Sequence, residues 1–599
     1  MRLRLGRVFV IGLGVSALAS MVAQAPARSP QDGLETHSLL GNYLAGRFAK
    51  GQQEIGNAAE FYSRALEKDP QNEVLLEQAF QMEIMAGNWA AALPLAEQLA
   101  ASQPSHRMSR FLLGVHAFKQ GDFAKADEQF KAAAENPIGE LTSAIARGWT
   151  KLAAGDPEGA LAAVDLQKQP EWAQFYLRYH RGLMADIIGK KDVARTAFQR
   201  MFKQDSRTLR TALAYSRHAA HYGDYKLANT ILNDQFEKSQ GEPHPLAKDL
   251  RDQINKKKKI ALLVDSAPEG LAEVFYGLGE ALTGEGGVSL GTIYLQLALY
   301  AKPDHSFALA ALASAQEQAQ RYDEAIATYD KIPKGTALQT AIDIRKAFNL
   351  NSLDRADEAQ AILDDLAKKN PRDVRPLEAL GNIMRSRKRY ADAVNYFTRA
   401  IDLIDKSDER DWTYFYARGT SYERMKNWPA AEADLKRALA LAPDQALVLN
   451  YLGYSWIDQG RNMKEGMKLI EKAVALKPDD GYIVDSLGWA HYKRGNYKEA
   501  VRYLERAVEI KPEDPTLNDH LGDAYWQVGR FPEARFQWSQ ALTLNPEPDD
   551  LEKIKIKLAN GLPTKAEAKR SIKTNEAQRA DAARRRTENK SLPQKRAVE

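Results

Sequence analysis

Small and apolar residues recur along this chain at a fixed distance. In the C-terminal third the series is Leu487-Gly488, His491, Gly495, Tyr497, Ala500, Leu504, Ala507 and Pro512. It returns 34 residues later as Leu521-Gly522, Tyr525, Gly529, Phe531, Ala534, Trp538, Ala541 and Pro546. Steps of three and four place the apolar members on one face of a helix. Proline, with no N–H to donate, ends the helix. The same marks fall in register upstream. Leu452-Gly453 leads to Ile470, Ala473 and Pro478 with one residue inserted, and Gly466 stands where alanine is usual. Before it come Gly419, Tyr422, Ala431, Leu435, Ala438 and Pro443, then Leu380-Gly381, Tyr390, Ala393, Phe397 and Ala400. Ala359/Leu363/Pro371, Ala325/Tyr329 and Leu278-Gly279/Leu295/Ala298/Pro303 continue the series. Fainter marks reach the N-terminal half at Ala58/Tyr62/Ala65/Pro70, Ala92/Leu99/Pro104, Leu113-Gly114/Ala126/Phe130/Ala133, Gly148/Ala160, Gly182/Ala194/Phe198 and Ala228/Leu232. That makes about fourteen units.

The pattern, close to L-G-x2-Y…A-x3-F-x2-A-x4-P, resembles the tetratricopeptide repeat, a helix–turn–helix unit stacked in arrays. The resemblance implies an all-α superhelical solenoid of about fourteen such units in two lobes. Gly or Ala at the eighth position and Ala at the twentieth let two antiparallel helices approach closely. The aromatic or Leu at position 24 fills the space between units. An acidic residue after the proline, as in Pro478-Asp479-Asp480 and Pro443-Asp444, is placed to cap the next helix. No unit buries its apolar face alone, so stacked neighbours make the core. Residues 241–271 break the period: Gly241, Pro243 and Pro245 open the segment, Lys256 to Lys259 reads as a solvated helix face, and Pro268-Glu269-Gly270 closes it. The expected organisation is therefore a lobe over 34–242, a linker over 243–271, a lobe over 272–548, and a capping helix with a basic tail over 549–599. Leu551, Ile554, Ile556 and Leu558 suit a helix covering the last repeat's open face.

The two ends change the picture. Arg2, Arg4 and Arg7, the uncharged apolar run Val8 to Met21, and the A-x-A sites ending at Ala25 and Ala27 fit a secretion signal over residues 1–27. Pro26 disfavours the first site, so cleavage is expected after Ala27, which places the mature chain in the periplasm. The alternative is an uncleaved inner-membrane anchor, although the run is shorter than the roughly 20 residues a span needs. The formal net charge is +5. Residues 561–599 hold +6 and the signal +3, which leaves the repeats at −4. The tail reads as a disordered or loosely helical solubilising segment; the sharper alternative is a weak electrostatic contact with anionic lipid or an acidic partner. There is no cysteine, which excludes a lipidated N-terminal Cys, disulfides, thiol catalysis and zinc–thiolate sites.

Chemistry is sparse. His218 and His221 lie three apart on an expected helix, the one pair with metal-ligand spacing, and no third ligand accompanies them. Gly279, Gly284, Gly286 and Gly287 lack the G-K-[ST] of a phosphate loop. Basic and aromatic residues do not interleave as in nucleic-acid readers. No catalytic motif is evident, so the chain reads as a non-enzyme without cofactor, metal or nucleic acid. Surface remains. In tetratricopeptide arrays the first helix of each unit lines the concave groove, and resemblance implies that positions 2, 5, 9, 12 and 13 face it. Here these include Tyr416, Asn450, Tyr454, Tyr482, Asp485, Trp489, Tyr492, Asp519, Asp523 and Trp526, taken as the candidate protein-binding residues, with Ile457, Asp458 and Lys493 beside them. Tyr and Trp dominate interface energetics. The competing reading packs these aromatics against neighbouring helices. Arrays that grip a C-terminal carboxylate use Lys at position 5 and Asn at position 9. The pairs Asn450/Tyr454, Asp485/Trp489 and Asp519/Asp523 do not match that clamp.

The segments Asn450-Tyr451-Leu452-Gly453-Tyr454, Asp485-Ser486-Leu487-Gly488-Trp489 and Asp519-His520-Leu521-Gly522-Asp523 also resemble a bacterial group of exported repeat proteins. Some of that group are outer-membrane lipoproteins acting as adaptors for a carboxyl-terminal processing protease. This chain departs from them in lacking the lipidation Cys. The resulting expectation is a periplasmic scaffold that recruits envelope proteins or peptides, a protease among the candidates. The alternatives are an assembly factor for outer-membrane, polysaccharide-export or cell-wall machinery, and a membrane-anchored scaffold facing the cytosol.

Overall fold

The computed structural model describes residues 38–165, 169–238, 244–284, 286–404 and 408–562. The expected secretion signal and the basic tail beyond residue 562 lie outside the described residues. Among the described residues there are thirty α-helices, one 3-10 turn at Glu409–Asp411 and no strand. The described residues form two compact units, unit 1 up to Asn370 and unit 2 from Pro371.

Unit 1 begins with six hairpins: α1 (Leu39–Gly51) with α2 (Ile55–Lys68), α3 (Glu73–Ala86) with α4 (Trp89–Ser102), α5 (Arg107–Lys119) with α6 (Phe123–Ala132), α7 (Pro137–Ala153) with α8 (Pro157–Ala163), α9 (Glu171–Ile187) with α10 (Lys191–Gln204), and α11 (Leu209–His221) with α12 (Tyr225–Lys238). A single helix α13 (Pro245–Asn255) follows. Three more hairpins complete the unit: α14 (Ala267–Gly284) with α15 (Val288–Ala301), α16 (Ser306–Gln318) with α17 (Tyr322–Tyr329), and α18 (Gln339–Ser352) with α19 (Ala356–Lys369). Unit 2 has five hairpins and a last helix: α20 (Arg375–Ser386) with α21 (Tyr390–Asp402), α22 (Trp412–Arg424) with α23 (Trp428–Leu441), α24 (Ala446–Asp458) with α25 (Met463–Leu476), α26 (Gly481–Lys493) with α27 (Tyr497–Ile510), α28 (Pro515–Gln527) with α29 (Phe531–Thr543), and α30 (Pro548–Asn560). The fourteen hairpins among the described residues match the number expected.

Every hairpin turns through a residue with positive φ, and the α24–α25 turn holds a second, Asn462. The first six are Gln53, Gly87, Gly121, Gly155, Gly189 and Gly223, spaced 34 apart. Gly286, Gln320, Asp354 and Lys388 resume the same spacing, and Lys426, Gly460, Gly495 and Gly529 complete the set. Helix crossings follow the small-residue rule. A Cβ on Gly488 would stand 2.6 Å from Leu504 Cγ, and one on Gly522 would stand 2.5 Å from Trp538 Nε1. Ala500 and Ala534, the partners from the second helices, are fully buried. Asp480 caps α26 by accepting from the Tyr482 and Ile483 backbone N–H groups. Asp444 does not cap α24, whose N-cap is Gln445; its carboxylate pairs with Lys472 Nζ at 2.7 Å instead.

The segment 243–271 is built into unit 1. After α13 the chain runs past Ile260 and Val264, both buried, and the Ile260 carbonyl accepts from His221 Nδ1 at 2.8 Å. Lys256–Lys259 are exposed as expected, but in the turn that follows α13 rather than on a helix face. The hairpin of α14 and α15 then folds back against the first helices of the preceding hairpins: α14 on α7 and α9, α15 on α3 and α5. It is largely apolar because most of it is covered, with Pro268, Glu280 and Ser289 left exposed. Leu271, Phe275, Tyr294, Leu295 and Leu297 are fully buried, in one continuous core that runs from Ala49 to Leu312. A Cβ on Gly270 would lie 2.4 Å from the Trp149 ring, so only glycine lets α14 approach α7 this closely. Polar clasps hold the hairpin: Gln296 Nε2 donates to the Met85 carbonyl at 2.9 Å, and Tyr300 bonds His116 at 2.8 Å. Deepest is Glu273, 1% exposed. It accepts from Tyr179 (2.9 Å), from both Arg210 Nε (3.1 Å) and Nη2, and from His305 Nε2 (2.8 Å). The Ala308 N–H bonds His305 Nδ1, which leaves the proton on Nε2 to face the carboxylate. The groove of unit 1 is therefore filled by its own seventh hairpin.

Candidate functional site

Among the described residues of unit 2 no hairpin folds back over the first helices of the others. First helices lie side by side, α20 on α22, α24 on α26 and α26 on α28, and the repeat period brings like positions into rows. The candidate residues divide into three groups.

Trp489, Tyr492, Asp485, Asp519, Asp523 and Trp526 come together on α26 and α28. The Trp489 ring stacks on Tyr492 (4.6 Å between centroids, 5°) and on His520 (3.9 Å, 14°). Trp489 Nε1 has no hydrogen-bond partner, and Lys493 Nζ stands 5.4 Å over the ring. Asp485 is buried and accepts from His520 Nδ1 at 3.0 Å. Burial alone would lower the His520 pKa, but the Asp485 charge and hydrogen bond outweigh it and raise it. Trp526 packs on Phe531 (4.6 Å) and Trp538 (5.4 Å). Asp523 is buried and accepts from Trp538 Nε1 at 3.0 Å. Burial pushes its carboxyl up to about 6 against the pull of Lys557.

Lys557 comes from α30. Its Nζ reaches Asp519 and Asp523 at 2.8–2.9 Å. Leu558 and Leu562 join the apolar cluster of Trp526 and Tyr492, and Arg535 bonds the Leu558 carbonyl. A helix over the end of the array was legible in the sequence; its seat beside Trp526 was not.

Tyr454 and Asn450, on α24, lie next along the row. Burial, then the charges of Asp458, Asp485 and Asp550, raise the Tyr454 pKa. Asn450 Oδ1 is buried without a partner. Two candidates stand apart. Tyr416 contacts Trp412 and Tyr451, each at 5.8 Å. Tyr482 is 45% exposed, with Lys511 Nζ 4.7 Å over its ring, and takes no part in the aromatic stack. Asp485 and Asp523 also need correction: at 5% exposure each they brace His520, Trp538 and Lys557 and present no free carboxylate.

Sequence reasoning passed over three residues. His520 was part of a quoted motif, but its stacking on Trp489 depends on a neighbouring helix. Lys557 is one lysine among three in a short helix. Arg385, on α20, is surrounded by the phenols of Tyr416, Tyr451 and Tyr390, and burial lowers its pKa against their pull. The His218/His221 metal candidate dissolves: His218 bonds the buried Asp186 at 2.6 Å and His221 a backbone carbonyl. Among the described residues there is no group of three or more ligand side chains for a metal, and no helix is long and apolar enough to cross a membrane.

Hairpins with a 34-residue period and a small-residue crossing define a helical repeat scaffold. Tetratricopeptide-repeat models match residues 85–140, 308–332, 352–408, 416–481 and 488–529, so these segments are tetratricopeptide repeats. The chain is thus a protein-interaction scaffold, the role such solenoids serve. Over 194 residues it is 32% identical to the TPR repeat-containing protein PA4667 of Pseudomonas aeruginosa. That stretch is 32% of this chain and 31% of the relative, so the match spans about a third of the curated protein. Similar solved structures include the APC/C Cut9–Hcn1 hetero-tetramer (13% identity, 87% of this chain and 96% of that chain, TM-score 0.36). Yeast Tom70 is another (12% identity, 87% and 95%, TM-score 0.34).

Proposed function

We propose that this chain is an exported adaptor whose unit 2 recruits one or more cell-envelope proteins through the face around Trp489, Tyr492 and Tyr454, with delivery of a substrate to a protease as its purpose. The observation that carries the reading is the contrast between the two grooves. The inner face of unit 1 is filled by α14 and α15, whereas that of unit 2 carries half-buried aromatics beside carboxylates. Aromatic rings give contact area at low entropy cost, and Tyr454, Trp489 and Tyr492 are each partly exposed to a partner. Export rests on the sequence signal at residues 1–27. The test is a crosslinked pull-down from the cell envelope comparing wild type with Trp489→Ala, read by mass spectrometry, with N-terminal sequencing of the mature protein. Loss of a specific partner from a folded variant supports the reading. An unchanged partner set, or a mature protein beginning at Met1, counts against it.

A further inference from the structure

α30 is weakly anchored for a helix that ends an array. Of its thirteen residues only Ile554 is buried. The rest of its hold comes from Lys557, the packing of Leu558, the Arg535 bond to the Leu558 carbonyl, an exposed Lys388–Glu547 pair at its entry, and the residues just beyond it. Asp519 and Asp523, four apart on α28, form an acidic notch beside Trp526 and receive Lys557 Nζ at 2.8–2.9 Å. One turn on, Gly561 lies flat on the indole: a Cβ there would stand 2.0 Å from Trp526 Cζ2, and its φ of +72° is a conformation side-chain-bearing residues rarely adopt. Leu558 and Leu562 flank the same ring cluster. A lysine and apolar anchors at helical spacing, seated on a complementary notch, are the elements of helix-in-groove recognition.

Resting on the scaffold reading of unit 2, we propose that the Asp519/Asp523/Trp526 notch is a receptor for a lysine-bearing amphipathic helix of a partner protein, and that α30 fills it in cis until such a helix displaces it. The occupant chemistry follows from charge complementarity with two carboxylates and from the apolar ring beside them. A cis helix on a short connection (Leu544 to Glu547) acts at an effective concentration in the millimolar range. It therefore lowers a partner's apparent affinity by the fraction of time the notch is open.

The test uses the full-length protein and a fluorescein-labelled peptide of residues 547–562, read by anisotropy. Lys557→Glu in the protein opens the notch, and Gly561→Val does so by clash at a different position. Both variants are expected to bind the peptide at least tenfold more tightly than wild type. Adding Asp519→Asn and Asp523→Asn to the Lys557→Glu protein abolishes that gain, while circular dichroism stays unchanged. Equal affinity for wild type and both opened variants overturns the proposal, as does the absence of binding to either. Peptide-independent dimers of the opened variants in ultracentrifugation also overturn it, since a second copy would then be the occupant. Partner loss in Trp489→Ala with no peptide exchange would remove this inference and leave the adaptor reading; peptide exchange without any envelope partner would do the reverse.

Discussion

Replacing Glu273 by Gln measures what holds the seventh hairpin inside unit 1. The carboxylate receives four donors: Tyr179 and Arg210 Nε on Oε2, Arg210 Nη2 and His305 Nε2 on Oε1. A glutamine has one acceptor oxygen, so in either orientation its NH2 opposes two donors. Two charge-assisted bonds are lost, at about 1.5–3 kcal/mol each. Arg210, whose side chain is 13% exposed, is left without a counter-ion. Breaking one side of a buried pair costs about 3–5 kcal/mol in total. The readout is hydrogen exchange of α14 peptides at fixed pH, where at 1.36 kcal/mol per decade the loss appears as roughly 100-fold faster exchange or more. Arg210→Met/Glu273→Leu, which removes both charges, is expected to recover most of the protection because apolar replacement of a buried pair is nearly neutral. A Glu273→Gln protein with less than fivefold faster exchange, or a double variant as labile as the single, would refute the argument that an ionic clasp pins the hairpin.

Three further outcomes follow from the same geometry. Lys388→Gly and Lys426→Gly relieve positive φ at hairpin turns (58° and 63°) and should each stabilise unit 2 by about 0.5–1 kcal/mol in urea unfolding; a loss from both would contradict the turn assignment. Gly522→Ala sets a Cβ 2.5 Å from Trp538 Nε1 and disturbs its bond to Asp523, an overpacking cost of about 1–3 kcal/mol, visible as a lower urea midpoint for the Trp538 signal. Unit 1 should weaken in acid in two steps. Burial pushes His180 down to about 4, so between pH 6.5 and 4 the unfolded chain binds the extra proton and stability falls. Burial would raise the Glu273 carboxyl, but Arg210 and His305 outweigh it and hold it well below the usual range, so its contribution is present above pH 4.5 and lost progressively below. A His180→Phe protein should lack the first step; unchanged behaviour between pH 6.5 and 4.5 would rule His180 out.

Local pattern carried far into this fold. Fourteen hairpins were legible because crossing glycines and alanines must recur wherever two helix axes touch, as at Gly488/Leu504 and Ala500. The faint N-terminal units have an unused signal in their turns, Gly87 to Gly223 at intervals of 34. What stayed hidden depends on distance. The α14 hairpin keeps the repeat spacing, Leu278-Gly279 to Ala298, yet docks inside the array. Nothing in the local pattern distinguishes inward docking from stacking in line, and the partners lie as far off as Met85 and Gln296. The candidate site was readable as positions and unreadable as pairings. Trp489 was readable as a first-helix position, while its stacking on His520, the burial of Asp485 and the arrival of Lys557 are set by neighbouring helices.

The inward hairpin bears on how unit 1 is made. A simple solenoid can acquire structure as it lengthens, because each new repeat needs only the one before it. Here the floor of the third and fifth helices is supplied by residues 288–301, about two hundred positions later in the chain. The hairpins of α3, α5, α7 and α9 must wait with apolar inner faces exposed until that sequence exists. Their assembly is a single, late, high-contact-order event. A nascent chain halted before residue 288 should be a client for holding chaperones rather than a shorter version of the folded protein.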